Sequence, residues 1–238
     1  MATLLIIKTG QTHESIRQHL GDFHDWFASG LARPGLTVLV CDVAAGESLP
    51  ARSSVDGALV TGSPAMVTDK APWSETTAGW LARAATEGMP LLGVCYGHHL
   101  LARALGGEVG FHPGGREIGT RTVRRLSAAD GDPLFGDLPL RFSANLSHKQ
   151  SVLSLPPGAV LLASGDFEPL QGFRWGEACW GCQFHPEFDR TIMEAYLHSQ
   201  SEAMAREGLD VPEHFRTLGE TPEAAAVLGR FARLVQER

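Results

Sequence analysis

The chain has 238 residues, 43% hydrophobic and 20% charged, which is the balance of an ordinary globular protein with a full core. A formal net charge of −7 argues against binding nucleic acid or an anionic membrane, since both need a basic field. No apolar run approaches the roughly 20 residues of a membrane span, and the opening stretch lacks a basic leader, so a cytoplasmic location is expected.

In chain order, Thr3–Ile7 is apolar and reads as a first strand. Ile16, Leu20, Phe23, Phe27 and Leu31 recur at steps of three or four, which predicts one helix over His13–Leu31. Thr37–Cys41 and Gly57–Val60 are the next strands, and Pro72–Ala85 a helix opened by proline. Leu91–Val94 is again strand-like, and a helix follows it to the Gly106-Gly107 stop. Continuous apolar strands alternating with amphipathic helices predict an α/β fold: a doubly wound, mostly parallel sheet with helices on both faces.

Beyond Arg116 the texture changes to shorter β-like segments, around Gly119–Val123, Leu140–Asn145, Val160–Ser164, Gln171–Trp175 and Ala178–Phe184. These make a small added β region, in which Arg121, Arg124 and Arg125 read as a solvated strand face. Asp189 is placed to cap a helix over Thr191–Arg206, and Thr221-Pro222 starts a final amphipathic helix packed on the domain. The expected organisation is one domain over residues 1–238, with a core at about 3–200 and a helical extension over 201–238.

Cys95 is the residue that tells most about chemistry. Leu91–Val94 runs into Cys95, and Gly93 and Gly97 flank it, which is the pattern of a sharp strand-to-helix turn. A thiol held there projects from the sheet top, and the helix N-terminus favours its thiolate. His185 follows a strand that Pro186 ends, so it is expected at the same sheet edge, with Glu187 near enough to orient its ring. Nucleophile, base and orienter are the parts of covalent acyl transfer. Thr61-Gly62-Ser63-Pro64, after a buried strand, can aim a backbone N–H at an oxyanion, with the N–H of Tyr96 as second donor.

Two metal readings are set aside. Cys179 and Cys182 have no second ligand pair at suitable spacing, and alternation puts them on opposite sheet faces. His98 and His99 diverge by about 100° on a helix. The remaining cysteine, Cys41, lies on a strand, and none of the four suggests a disulfide framework.

Gly93-Val94-Cys95-Tyr96-Gly97-His98, Thr61-Gly62-Ser63-Pro64 and Gln183-Phe184-His185-Pro186-Glu187 together resemble the class I, triad-type glutamine amidotransferase family, especially the glutaminase portion of GMP synthase. Ser147-His148 resembles a loop preceding the triad histidine in that branch. The resemblance covers about residues 3 to 200 and implies a flavodoxin-like sheet with an added β region. It implies Cys95 as nucleophile, His185 as acid and base, Glu187 as orienter, and Ser63 and Tyr96 as backbone oxyanion donors. Gly62, His99, Ser147 and His148 are expected at the substrate, with no metal or cofactor.

Two departures bear on function. The family commonly has glutamine where this chain has His99, which favours another γ-glutamyl compound or weaker glutamine binding. The chain also ends near where the glutaminase portion ends, so an ammonia-accepting synthetase would be a separate subunit. Three readings follow: hydrolysis of the glutamine side-chain amide through a γ-glutamyl thioester; a γ-glutamyl peptidase or γ-glutamyl-amine hydrolase without ammonia transfer; and a non-catalytic regulatory or binding subunit that keeps the fold.

Overall fold

A computed structural model describes residues 2–238. Among these, β1 (Ala2–Lys8), β2 (Leu36–Asp42), β3 (Gly57–Val60) and β4 (Leu91–Val94) alternate with α1 (Glu14–Leu20), α2 (Phe23–Leu31), α3 (Pro72–Thr86) and α4 (Tyr96–Ala104). There follow β5 (Glu108–Phe111), β6 (Glu117–Arg125), β7 (Arg141–His148), β8 (Gln150–Ser154), β9 (Val160–Ser164), β10 (Gly172–Trp175) and β11 (Cys179–Cys182). Helices α5 (Arg190–Arg206), α6 (Val211–Arg216) and α7 (Pro222–Gln236) complete the chain.

The main sheet runs in the order β2-β1-β3-β4-β11-β10-β9-β6-β7. From β2 to β11 neighbouring strands are parallel, and from β11 onward they are antiparallel. Strands β5 and β8 form a separate two-stranded ribbon. This is the expected α/β architecture with its added β region. Inside the edge strand β2, the parallel strands β1, β3, β4 and β11 are largely buried on both faces, which is why they are apolar runs.

Alternate residues of β1 divide between two apolar cores. Leu4 and Ile6 face α2, α5 and α7, while Leu5 and Ile7 face α3 and α4. Cys182 and Cys179 fall into these two cores respectively, on opposite sheet faces as strand alternation requires. Helix α7 packs Val227, Leu228 and Phe231 into the first core, so the last helix lies on the domain.

The predicted His13–Leu31 helix is two helices. Gly21 takes a left-handed φ of 84°, and Asp22 and Asp25 form a reciprocal capping box that starts α2. The break matters for the site, because Asp22 also accepts from the Thr12 amide at 2.8 Å and pairs with buried Lys8 at 3.1 Å, fixing the loop after β1. The basic strand face is likewise less solvated than expected. Arg121, Arg124 and Arg125 are half-buried, and Arg124 and Arg125 pair with Asp166 and Asp130. No described helix is long and apolar enough to cross a membrane.

Candidate active site

The parallel strands end together at one edge, where β1 connects outward to β2 on one side and its neighbour β3 connects to β4 on the other. The crevice at such a switch point is where open α/β sheets hold ligands. The loops after β1, β3, β4 and β11 meet there around a cavity of about 380 Å³ that includes Cys95, Ser63, Tyr96 and His185 in its walls.

Cys95 sits between β4 and α4 at φ 51° and ψ −101°, a conformation that costs an L-residue about 1–3 kcal/mol. Surrounding contacts hold it. Its amide donates to the Cys182 carbonyl at 2.9 Å, and the Gly97 amide donates to the Thr61 carbonyl at 3.2 Å. Both flanking glycines are required sterically: a β-carbon on Gly93 would strike the Gly97 carbonyl, and one on Gly97 the Val60 carbonyl. The turn presents the sulfur to the cavity, 3.8 Å from the Ser147 carbonyl oxygen.

His185 follows β11, its amide donating to the Asn145 carbonyl at 2.8 Å. The strand stops at Cys182, two residues earlier than its apolar run suggests, although the Gln183 amide still donates to the Gln171 carbonyl at 2.9 Å. The ring Nδ1–H donates to Glu187 Oε1 at 2.7 Å. Nε2 is buried without a hydrogen-bond partner, and the ring shares the cavity wall with Cys95, whose charge acts on it. Burial alone would lower the imidazole pKa. The charges of Glu187 and Cys95 outweigh it and raise the value to about 10.

Two neighbours confine the ring. Phe188 stacks on it with centroids 4.0 Å apart and planes 16° from parallel. Gly62 also lies against the ring, where a β-carbon would come 3.0 Å from His185 Cε1. Gly62 is expected at the substrate from the sequence; instead its missing side chain makes room for the histidine ring. Ser63 lines the cavity, its hydroxyl donating to the Thr9 carbonyl at 2.6 Å. Tyr96 is the first residue of α4, where an amide has no partner within the helix.

His99, Ser147 and His148 all reach the cavity wall, but their polar atoms are largely committed. His99 Nε2 lies 2.6 Å from Gln183 Oε1, and burial, reinforced by the charge of His148, pushes its pKa down to about 3. His148 bridges the Gln150 carbonyl and Glu117 Oε2, each at 2.9 Å. His98 turns away and packs over Gly181 and Phe173. Sequence reasoning misses Thr12, Phe188, Tyr196 and Arg116. The loop after β1 carries one usable signal, since it too leaves the carboxyl end of a central strand.

A thiol beside an imidazole that a buried carboxylate orients is an arrangement able to attack a carbonyl and return a proton to a leaving nitrogen. The profile of Glutamine amidotransferase class-I matches residues 21–202, most of the chain. The chain belongs to that family. Among class I amidotransferase relatives, the glutamine-hydrolyzing GMP synthase of Aeropyrum pernix is 38% identical over 160 residues, covering 65% of this chain and 29% of that protein. One subunit of the glutamine-hydrolyzing GMP synthase of Methanocaldococcus jannaschii is 30% identical over 146 residues, covering 61% of this chain and 71% of that protein. Gamma-glutamyl peptidase 3 of Arabidopsis thaliana is 30% identical over 143 residues, covering 58% and 57%. The chain thus spans under a third of the Aeropyrum synthase and just over half of the peptidase. A solved glutamine amidotransferase from Thermotoga maritima has the same fold, with a TM-score of 0.78 at 21% identity over 100% of this chain and 99% of that one.

Proposed function

We propose that this class I amidotransferase domain is a cysteine-dependent amidohydrolase acting on the γ-amide of glutamine or a related γ-glutamyl compound. The observation that carries the reading is the state of His185: one ring nitrogen held by Glu187 at 2.7 Å, the other buried without a hydrogen-bond partner, in a cavity wall the ring shares with Cys95.

In the proposed cycle, Cys95 Sγ bonds to the γ-carbonyl carbon while His185 Nε2 holds the proton the pair shares. The backbone amides of Tyr96 and Ser63 take the oxyanion. Collapse breaks the C–N bond, and His185 gives its proton to the departing nitrogen, leaving a γ-glutamyl thioester. Water then adds to the thioester carbon, losing a proton to His185, which keeps it as Sγ leaves, so that the starting pair is restored. Glu187 keeps the imidazolium oriented throughout. No cofactor enters these steps.

The released nitrogen defines two outcomes. With glutamine it is ammonia, and the relative that is one subunit of a GMP synthase supports a separate synthetase chain as its acceptor. With a γ-glutamyl peptide or amine it is an amine, which needs no acceptor, and the peptidase relatives support that outcome. The decisive experiment assays glutamine and γ-glutamyl amides with the unmodified protein and with Cys95→Ala. Loss of all turnover in the variant, with a γ-glutamyl thioester trapped on Cys95 of the parent, is the expected result. Turnover by Cys95→Ala would rule out the cysteine mechanism, and none by either protein leaves a non-catalytic binding role as the better account.

A further inference from the structure

The cavity carries a charge asymmetry that the proposed chemistry does not use. None of its lining residues is an aspartate or a glutamate, whereas Arg116 and Lys149 both contribute to its wall. The Arg116 side chain is only 6% exposed. A guanidinium so withdrawn from water needs compensation. Glu207, just beyond α5, supplies part of it: Arg116 Nε donates to Oε2 at 2.7 Å and Nη2 to Oε1 at 3.1 Å. Arg116 Nη1 donates to Gln200 Oε1. The Lys149 ammonium shares the same carboxylate, reaching Oε1 at 2.8 Å.

Two cations therefore divide one anion, and a positive charge is left over at the wall. Donors are left over as well. A guanidinium has five N–H groups and an ammonium three; these contacts use three of the former and one of the latter. The cluster also connects to the nucleophile. Gln200 Nε2 donates to Ser147 Oγ at 3.3 Å, and the carbonyl of that serine is the one 3.8 Å from the Cys95 sulfur. His13, which also lines the cavity, is kept neutral by burial and by the Arg116 charge, so it adds no competing cation.

We propose that Arg116 and Lys149 form a carboxylate-binding subsite that anchors an anionic end of the γ-glutamyl substrate, a reading that rests on the amidohydrolase function above. Two carboxylates fit the chemistry. One is the α-carboxylate of the glutamyl group. The other belongs to the amine half when that half is an amino acid or peptide, and the cavity, at about 380 Å³, lies within the range that takes ligands larger than a single amino acid.

The test measures binding by calorimetry to Cys95→Ala, and to the same protein with Arg116→Gln or Lys149→Gln added. The ligands are glutamine, glutamine α-methyl ester and γ-glutamylglycine. An α-carboxylate anchor predicts that the ester binds about tenfold more weakly than glutamine, the scale of a charge-assisted hydrogen bond, and that Arg116→Gln removes the difference. A carboxylate on the amine half predicts instead that γ-glutamylglycine binds about tenfold more tightly than glutamine, again levelled by Arg116→Gln. Lys149→Gln, at a half-exposed side chain, should narrow the same gap in part and guards against a folding defect in the arginine variant. Equal affinity for all three ligands, no binding of any, or variants that weaken all three equally would overturn the subsite. Turnover of glutamine and γ-glutamylglycine by the unmodified protein is followed in parallel. Carboxylate-dependent binding without turnover removes the proposed reaction and keeps the subsite; turnover without carboxylate dependence does the reverse.

Discussion

The α-carbon of Gly97 faces the backbone carbonyl of Val60 so closely that no β-carbon fits between α4 and β3. That approach lets the helix start directly under Cys95. Gly97→Ala should therefore destabilise the fold by about 1–3 kcal/mol or more, as overpacking against immovable backbone does. Gly229→Ala on the exposed side of α7, where nothing lies within 4 Å of the added carbon, should instead stabilise by up to about 1 kcal/mol. Urea unfolding of both variants checks the pair, and equal effects would contradict the steric account.

A second expectation concerns alkaline pH. His185 is raised to about 10 because the charges of Glu187 and Cys95 override burial. In the proposed cycle its proton goes to the leaving nitrogen, so kcat/KM should hold well above pH 8 and fall only as pH approaches 10. Removing the carboxylate with Glu187→Gln leaves burial less opposed. The falling limb should then move to lower pH, and kcat/KM should drop by about 10²- to 10⁴-fold. The stability this imidazolium contributes is fully present below about pH 6.5 and is withdrawn as pH rises toward 10. A limb that Glu187→Gln leaves in place would contradict the assignment.

Acid pH acts through another histidine. His99 stays neutral in the fold until about pH 3, whereas an unfolded histidine takes a proton near 6.5. The unfolded chain thus gains protons first, and stability falls as pH drops below 6.5. By pH 5 this group alone should account for a loss of about 2 kcal/mol. His99→Gln should flatten the decline between pH 7 and pH 5 in guanidinium titrations. An unchanged slope would mean the ring is protonated in the folded state.

Phe188 should matter more to rate than to binding. It lies flat on His185 at 4.0 Å and touches Tyr196 at 4.7 Å between centroids. Truncation to alanine should cost about 3–5 kcal/mol, so Phe188→Leu is the informative change. With the ring free to tilt, kcat should fall while KM stays near its original value. A rise in KM alone would place Phe188 at the substrate.

The elements at the sheet edge are legible in the sequence because each ends in a residue whose chemistry marks it: Gly93 and Gly97 around Cys95, and Pro186 after His185. The helix pair α1 and α2 reads as one because Ile16, Phe23 and Phe27 bury toward the same core, so the apolar period runs on across the break. Gly21-Asp22 is the only trace of it. Strand β5 escapes for a different reason: it has four residues, and none of them is fully buried. Partners far apart in the chain leave no local signal at all. His148 meets Glu117 and Arg116 meets Glu207 only once β6, β7 and α5 have come together. His99 stands out as a substitution for glutamine, but its bond to Gln183 depends on the β4–β11 register.

The elbow at Cys95 is tied by backbone to β11 through Cys182 and, two residues on, to the end of β3 through Thr61. Its torsion angles are thus enforced from the middle of the sheet, with no contribution from a surface loop that could fray alone. A molecule that has lost β3, β4 or β11 has also lost the aim of its proposed nucleophile. During denaturant titration, catalysis should vanish at the same midpoint as the tryptophan fluorescence, making turnover itself a gauge of how many molecules are intact.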